Sequence, residues 1–142
     1  MLYIQESEKR IMLHNNDANW DEFDPYLYVQ KNYYATALPV DKEILAILTK
    51  FYRKNRPAGK FLEVGCGPNL YPVLTALPYA DRLDIIEYGA KNIAYLKQQL
   101  IDLHDIWLKW VDLLRKLDPV YNIDVLRQLR EKTSIKQGSI FD

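Results

Sequence analysis

The chain has 142 residues, and its 19 lysines and arginines balance its 19 aspartates and glutamates. This neutral balance argues against a nucleic-acid or membrane surface as the main partner. Because 49% of the residues are apolar, the chain can form the core of one globular domain, and the composition argues against a disordered protein.

The N-terminus and the cysteine content indicate the cellular location. The first ten residues, MLYIQESEKR, carry charges where a secretion signal needs apolar residues, and no run has the length of a membrane span. Cys66 is the only cysteine, so no intrachain disulfide can form. We expect a cytoplasmic protein without a metal site, because one cysteine and two histidines do not suggest a ligand cluster.

The N-terminal part is predicted to be a lid followed by a helix. Residues 1–39 form the expected lid segment, whose aromatic stretch WDEFDPYLYVQKNYYATAL precedes Pro39. Asp41 is expected to cap a helix with apolar residues at helical spacing. This helix should end at Asn55, because Pro57 and Gly59 follow it.

Strands and helices alternate in the remaining residues, 40–142. Predicted strands cover residues 60–64 and 82–88, and a third begins at residue 133. Asn69 is expected to cap a short helix, and apolar spacing predicts further helices over residues 93–103, 106–117 and 123–132. Such alternation implies parallel strands joined by helical crossovers, so the expected fold class is α/β.

The segment FLEVGCGPNLYP places a glycine turn directly after the first strand. Leu70 occupies the position where a dinucleotide-binding turn has its third glycine, which weakens that interpretation. No Lys-Ser/Thr pair follows the glycines, so a P-loop is excluded. Cys66 lies between Gly65 and Gly67 with no histidine nearby in sequence, so we interpret it as a small structural residue rather than a nucleophile.

Acidic residues accompany this turn at two places. Glu63 lies two residues before Gly65, and Glu87 lies at the end of the second predicted strand. An ordinary strand–helix turn would explain the first motif alone. Together with Glu87, however, the pattern resembles class I methyltransferases that use S-adenosylmethionine, in which such a carboxylate binds the ribose hydroxyls.

Four segments in one order narrow the resemblance. FDPYLYVQKNYYATALP, VGCGPNLYP, EYGAKNIAYLK and LHDIWLKW are similar to the family of nicotinamide, phenylethanolamine and thioether methyltransferases, over residues 20–142. The resemblance implies a Rossmann-like, doubly wound parallel sheet and S-adenosyl-L-methionine as cofactor. It also implies N- or S-methylation of a small amine or thiol.

The resemblance implies a set of cofactor-binding residues: Tyr28, Tyr33, Glu63, Gly65, Gly67, Tyr71, Glu87, Asn92, Ser139 and Ile140. Tyr28 and Tyr33 correspond to an aromatic lid, and Glu63 to a residue near the methionine ammonium. Ser139 and Ile140 correspond to the adenine site. Ser139 replaces the usual aspartate there, and a hydroxyl accepts a weaker hydrogen bond than a carboxylate does.

Aromatic residues support this interpretation independently, because a ring attracts the sulfonium cation by about 0.5–2 kcal/mol. We assign packing roles to Tyr26 and Tyr34, and a core role to the pair Trp107 and Trp110, whose spacing is helical. The sequence assigns no catalytic residue.

The resemblance also implies that this chain is the N-terminal, cofactor-binding half of the family's domain. The family places the first strand at the centre of the sheet, and Phe61, Leu62 and Val64 are accordingly expected to be buried. The third strand, TSIKQGS, is polar, as an edge strand should be. We therefore expect a second chain, a swapped homodimer or a missing segment to complete the sheet.

Two other functions share the same motifs. The chain could be a non-catalytic subunit that regulates a methyltransferase, or it could use the sulfonium for another reaction such as intramolecular alkylation.

Overall fold

The protein is an α/β structure, seen in a computed structural model that describes residues 19–34 and 39–139. Within these ranges, six helices accompany three parallel strands. The helices are α1 (Pro25–Tyr33), α2 (Pro39–Asn55), α3 (Tyr71–Ala76), α4 (Ala90–Ile101), α5 (Asp105–Leu117) and α6 (Val125–Lys132). The strands are β1 (Lys60–Val64), β2 (Arg82–Glu87) and β3 (Thr133–Gln137), and short 3-10 turns cover Trp20–Glu22 and Pro119–Tyr121.

Most predicted elements are confirmed, with bounds that differ by one to three residues at some starts and ends. Helix α2 begins at Pro39, so Asp41 lies in its first turn and is not the cap. Proline suits this position because the first helical N–H groups have no intrahelical acceptor. Helix α3 begins at Tyr71, whose N–H is 3.3 Å from Asn69 Oδ1, so Asn69 forms a turn just ahead of the helix.

The segment between α4 and α5 settles an alternative that the sequence leaves open. Two separate helices form there, because Asp102 adopts an extended conformation and ends α4. His104 begins α5, since its Nδ1 atom accepts a hydrogen bond from the Ile106 N–H at 3.2 Å. His104 is therefore an N-cap in this structure.

The sheet has the strand order β1-β2-β3, and both pairings are parallel. Lys60 lies opposite Arg82, and Leu83 lies opposite Thr133. In the part of the chain that the structure describes, β1 and β3 are both edges of the sheet. The described helices pack with one face of the sheet, because Leu83 and Ile85 share a single core cluster with them.

The other face of the sheet corrects one expectation. Leu62 and Val64 are 63% and 39% exposed, whereas the sequence predicts that they are buried. The prediction is wrong for these two because side chains alternate between faces, and only the face that carries Phe61 meets the described helices. A second helical layer, which a doubly wound sheet requires, is not formed by the residues described.

Aromatic side chains form the centre of the core. Trp107 and Trp110 are buried, which confirms their predicted core role. The Trp107 indole N–H donates to the Tyr95 hydroxyl at 2.7 Å, and the Tyr71 ring stacks on Trp110 with centroids 4.9 Å apart. None of the described helices is both long and apolar enough to cross a membrane.

Candidate ligand-binding cleft

A cleft of about 560 Å³ opens beyond the carboxyl ends of the strands. Ligands of open parallel sheets bind at this position, since the loops that follow the strands meet there. The lining residues are Trp20, Phe23, Tyr28, Val64, Gly65, Cys66, Gly67, Pro68, Glu87, Tyr88, Asn92, Gly138 and Ser139.

The glycine turn forms one wall of the cleft and needs both of its glycines. Gly65 has a φ of 67° and Gly67 a φ of 59°, both in the left-handed region that other residues rarely adopt. The Gly65 N–H donates to the Ile86 carbonyl at 2.8 Å, which continues the ladder between β1 and β2 by one residue. These two glycines therefore let the backbone turn toward the end of β2 immediately after β1.

Glu87 holds this wall in place from the last position of β2. Its Oε2 atom accepts a hydrogen bond from the Gly67 N–H at 2.8 Å. Its Oε1 atom accepts from the Gly89 N–H at 2.9 Å and from Asn92 Nδ2 at 3.2 Å. Since a carboxylate has about four acceptor positions, one position remains on Oε2, in a residue that is only 5% exposed and lines the cleft.

Asn92 lies in the first turn of α4 and carries an unused acceptor. Its Oδ1 atom is buried and has no hydrogen-bond partner among the described residues. Gly89, just ahead of α4, approaches this side chain so closely that a Cβ there would lie 3.1 Å from Asn92 Nδ2 and 3.4 Å from Glu87 Oε1. Glycine at residue 89 therefore leaves room for the pair of Glu87 and Asn92.

Cys66 lies between the glycines and is partly buried at the lining of the cleft. Burial, and after it the charges of Glu63 and Glu87, raise the pKa of the Cys66 thiol to about 12. The sulfur donates to the Gly67 carbonyl oxygen at 3.3 Å. A thiol with this pKa carries almost no thiolate at neutral pH. The raised pKa therefore favours a structural role for Cys66 over a nucleophilic one, as the sequence predicts.

Aromatic residues of the N-terminal segment cover the cleft. Phe23 and Tyr28 contact each other with ring centroids 4.9 Å apart, and Trp20 lies beside them along the lining. Asp21 Oδ1 accepts a hydrogen bond from the Lys91 N–H at 3.3 Å, which fixes this segment to the start of α4. The sequence predicts an aromatic lid but does not single out Trp20 or Phe23, because their positions depend on that tertiary contact.

The structure brings six of the ten predicted site residues to the cleft lining: Tyr28, Gly65, Gly67, Glu87, Asn92 and Ser139. Tyr33 and Tyr71 do not line it, because both are 6% exposed and pack with Trp110 in the core. Burial raises the pKa of both phenols above its usual value. Glu63 does not line the cleft either, and burial raises the pKa of its carboxyl. Ile140 lies outside the described residues.

Two tyrosines that the sequence assigns to packing lie elsewhere. The Tyr26 ring packs edge-on against Tyr95, with centroids 4.8 Å apart. Lys109 Nζ lies 4.8 Å from the centroid of the Tyr34 ring. Neither tyrosine is part of the cleft lining.

The lining combines groups suited to one kind of ligand. Glu87 offers a carboxylate acceptor for hydroxyl groups, the glycine turn lets a ligand approach the backbone, and the aromatic wall offers a surface for a cation. No protein-family model matches the chain, and no curated protein matches it either.

Proposed function

We propose that this cleft binds S-adenosyl-L-methionine and that the protein takes part in methyl transfer to a small amine or thiol. The observation that carries the proposal is the Glu87 carboxylate. It is buried at the end of β2, lines the cleft, is hydrogen-bonded to the glycine turn that follows β1, and has one acceptor position left. This arrangement suits a ligand with a ribose ring beside the turn.

The ribose has two neighbouring hydroxyl groups, and the pair of Glu87 and Asn92 can accept from both. One hydroxyl would donate to Glu87 Oε2, which has a single partner in the structure. Asn92 Oδ1 would accept from the second while its Nδ2 stays bound to Glu87, and this oxygen has no partner among the described residues. An unpaired buried acceptor costs about 1–3 kcal/mol, so this second hydrogen bond would relieve a cost already present.

The aromatic wall suits the charged part of the cofactor. Trp20, Phe23 and Tyr28 line the cleft, and each ring face attracts a sulfonium cation by about 0.5–2 kcal/mol. Ser139 follows β3 and lines the cleft, and we propose that the adenine binds beside it.

Methyl transfer requires little covalent chemistry from the protein. The lone pair of an amine or thiolate attacks the sulfonium methyl carbon in line with the C–S bond, and the electrons of that bond return to sulfur to give S-adenosylhomocysteine. A proton leaves an attacking amine to solvent. The protein accelerates the reaction by holding the two reactants close and aligned. We assign the acceptor side to groups that lie across the open side of β1, next to Val64 at the cleft edge.

Isothermal titration calorimetry tests this proposal. We expect the full chain to bind S-adenosylmethionine and S-adenosylhomocysteine and to show no comparable affinity for NAD. Glu87→Gln should weaken binding about ten- to a hundredfold, because the substitution replaces the charged carboxylate by a neutral amide. A hydrogen bond to a charged group contributes about 1.5–3 kcal/mol. Glu131→Gln, at an exposed position of α6, is the matched control and should leave the affinity unchanged.

An unchanged dissociation constant for Glu87→Gln, with a circular dichroism spectrum like that of the wild type, would overturn the site assignment. A methylation assay with small amines and thiols then separates the possible roles. Turnover supports the methyltransferase, whereas tight binding without turnover fits both the non-catalytic subunit and a cofactor-binding half that needs a second chain for catalysis.

A further inference from the structure

Among residues 19–34 and 39–139, no strand pairs with the outer edge of β1. Gly65 donates to the carbonyl of Ile86, and the Gly59 carbonyl accepts from Arg82, so both glycines direct their backbone groups toward β2. Backbone groups alternate between the two edges of a strand, so those of Lys60, Leu62 and Val64 point away from β2. We call these three residues the open edge.

Helix α2 carries an exposed apolar stripe. Val40, Ile44, Ile47 and Phe51 are between 38% and 66% exposed, and their spacing of four, three and four residues places them on one side of the helix. We call these four residues the α2 stripe. Leu45 and Thr49, on a different side of α2, are buried in the core.

The open edge and the α2 stripe lie at the same end of the molecule. The ring of Tyr52, near the end of α2, contacts Phe61 on β1 with centroids 5.8 Å apart, so this end of α2 lies beside the edge strand. On its other side α2 packs against α3, the next helix of the layer. A partner that covers the stripe would therefore also reach the open edge.

Charges beside the stripe indicate what covers it. Glu43, Lys50 and Lys54 are exposed and follow one another at intervals of seven and four residues, along one flank of the α2 stripe. The acidic residue lies near the start of the helix, and the two lysines lie near its end. When two copies of α2 pack in antiparallel orientation, Glu43 of each copy lies opposite the lysines of the other.

We propose that a second copy of this chain docks here across a two-fold axis perpendicular to the sheet. Leu62 then pairs with Leu62 of the second copy, and Lys60 pairs with Val64 of the second copy in an antiparallel ladder. Both copies of α2 lie on the same face of the joined sheet, with Ile47 of one copy against Phe51 of the other. The surface is self-complementary in hydrogen bonds, apolar contact and charge, as an isologous dimer requires.

The spacing of the elements is compatible with this dimer. Paired strands lie about 4.8 Å apart, and packed helices about 8–10 Å apart. A helix that lies over β1, slightly further from the axis than the strand, therefore meets its symmetry mate at a normal packing distance. This inference depends on the open edge and the stripe and does not require the proposed cofactor.

Sedimentation velocity of the full chain over a concentration series tests the dimer. We expect a dimer in the wild type and a monomer for Ile47→Glu, which places a charge in the middle of the interface. Ile101→Glu is the matched control, because Ile101 is as exposed as Ile47 but lies at the end of α4. The control should remain dimeric. Circular dichroism on each variant identifies any that fail to fold.

A charge-swap series tests the antiparallel orientation. Glu43→Lys alone, and Lys50→Glu with Lys54→Glu, each bring like charges together and should raise the dimer dissociation constant about tenfold. Combining all three substitutions restores opposite charges and should restore the wild-type constant.

Three outcomes would overturn the proposal. A folded wild type that is monomeric at all concentrations shows that a different polypeptide, or none, covers this surface. Association that survives Ile47→Glu places the interface elsewhere. A triple variant that dimerises no better than the two parent variants rules out antiparallel self-pairing of α2.

Discussion

At the residue scale, the cleft depends on one carboxylate and the neighbours that hold it. Glu87 accepts three hydrogen bonds from its own chain, from Gly67, Gly89 and Asn92, and so connects the loops that follow β1 and β2. Its position is fixed before any ligand arrives, which limits the ordering entropy that binding must overcome.

Cys66 provides a probe of this region that needs no ligand. Its thiol pKa is raised to about 12 mainly by burial, against an ordinary value near 9. At pH 8 the folded protein should therefore hold about a thousandfold less thiolate than the unfolded chain, and iodoacetamide should label Cys66 slowly until a denaturant is added. Mass spectrometry measures both rates, and rapid labelling of the folded protein would contradict the raised pKa of the thiol.

The same shift predicts a pH dependence of stability. The folded pKa of Cys66 lies above the unfolded one, so unfolding releases a proton between about pH 9 and pH 12. The contribution of this thiol to stability is fully present below pH 9 and is lost as the pH rises through that range. Denaturant titrations of the wild type and Cys66→Ala across the range isolate the effect. A wild type that loses no more stability than the variant would contradict it.

The aromatic wall gives a residue-level test of cation binding. Tyr28→Leu removes a ring from the cleft and should weaken the binding of S-adenosylmethionine about two- to thirtyfold, from an attraction of about 0.5–2 kcal/mol. Tyr34→Leu removes an exposed ring outside the cleft and should leave the affinity unchanged. Calorimetry on both variants decides, and equal effects would mean that Tyr28 has no specific role.

At the element scale, the two loops after β1 and β2 need glycine for different reasons. Gly65 needs a left-handed backbone, while a Cβ at that residue would meet no atom within 4 Å. At Gly89 a Cβ would press against Asn92 Nδ2 and Glu87 Oε1. One glycine is required by backbone strain and the other by close packing at the site.

Alanine substitutions should separate these two requirements. Gly65→Ala should lower stability by about 1–2 kcal/mol while the binding groups keep their positions. Gly89→Ala should displace Asn92 and Glu87 and so lower the affinity for S-adenosylmethionine by more than any loss of stability explains. Thermal melts with calorimetry measure both quantities. If Gly89→Ala binds as tightly as the wild type, the arrangement of Glu87 and Asn92 is not what the ligand contacts.

Local signals in the sequence account for much of these elements. The apolar run at residues 60–64 between Gly59 and Gly65 predicts β1 with its observed bounds, and Pro119 marks the end of α5. The cap at His104 was not predicted, because histidine is an uncommon N-cap residue. The exposure of Leu62 and Val64 could not be predicted, since an apolar strand pattern does not show whether the chain itself covers the strand.

The candidate site likewise contains residues whose positions the sequence predicts and residues whose positions it does not. The glycine turn and Glu87 follow strands, and parallel strands bring their carboxyl ends together, so their proximity could be predicted. Trp20 and Phe23 reach the cleft through the contact between Asp21 and Lys91, and Tyr33 is withdrawn into the core among the tryptophans. Side-chain packing between distant segments decides these positions, and no local pattern records it.

At the scale of the whole molecule, the described helices cover one face of a three-stranded sheet and leave the β1 edge open. Val64 belongs to that edge and also lines the cleft. Whatever pairs with β1 therefore lies beside the proposed cofactor, on the side from which we expect the methyl acceptor to approach. The proposed cofactor site and the proposed dimer interface are therefore adjacent, and one experiment can measure both ligand binding and assembly.

Native mass spectrometry of the full chain with S-adenosylmethionine tests the central claim, cofactor binding at Glu87, most directly. We predict one cofactor adduct for each copy of the chain in the wild type, no adduct with NAD, and a strongly reduced adduct for Glu87→Gln. The number of chains in each ion reports the dimer separately. Wild-type ions without an S-adenosylmethionine adduct, or an undiminished adduct on a folded Glu87→Gln variant, would contradict the account.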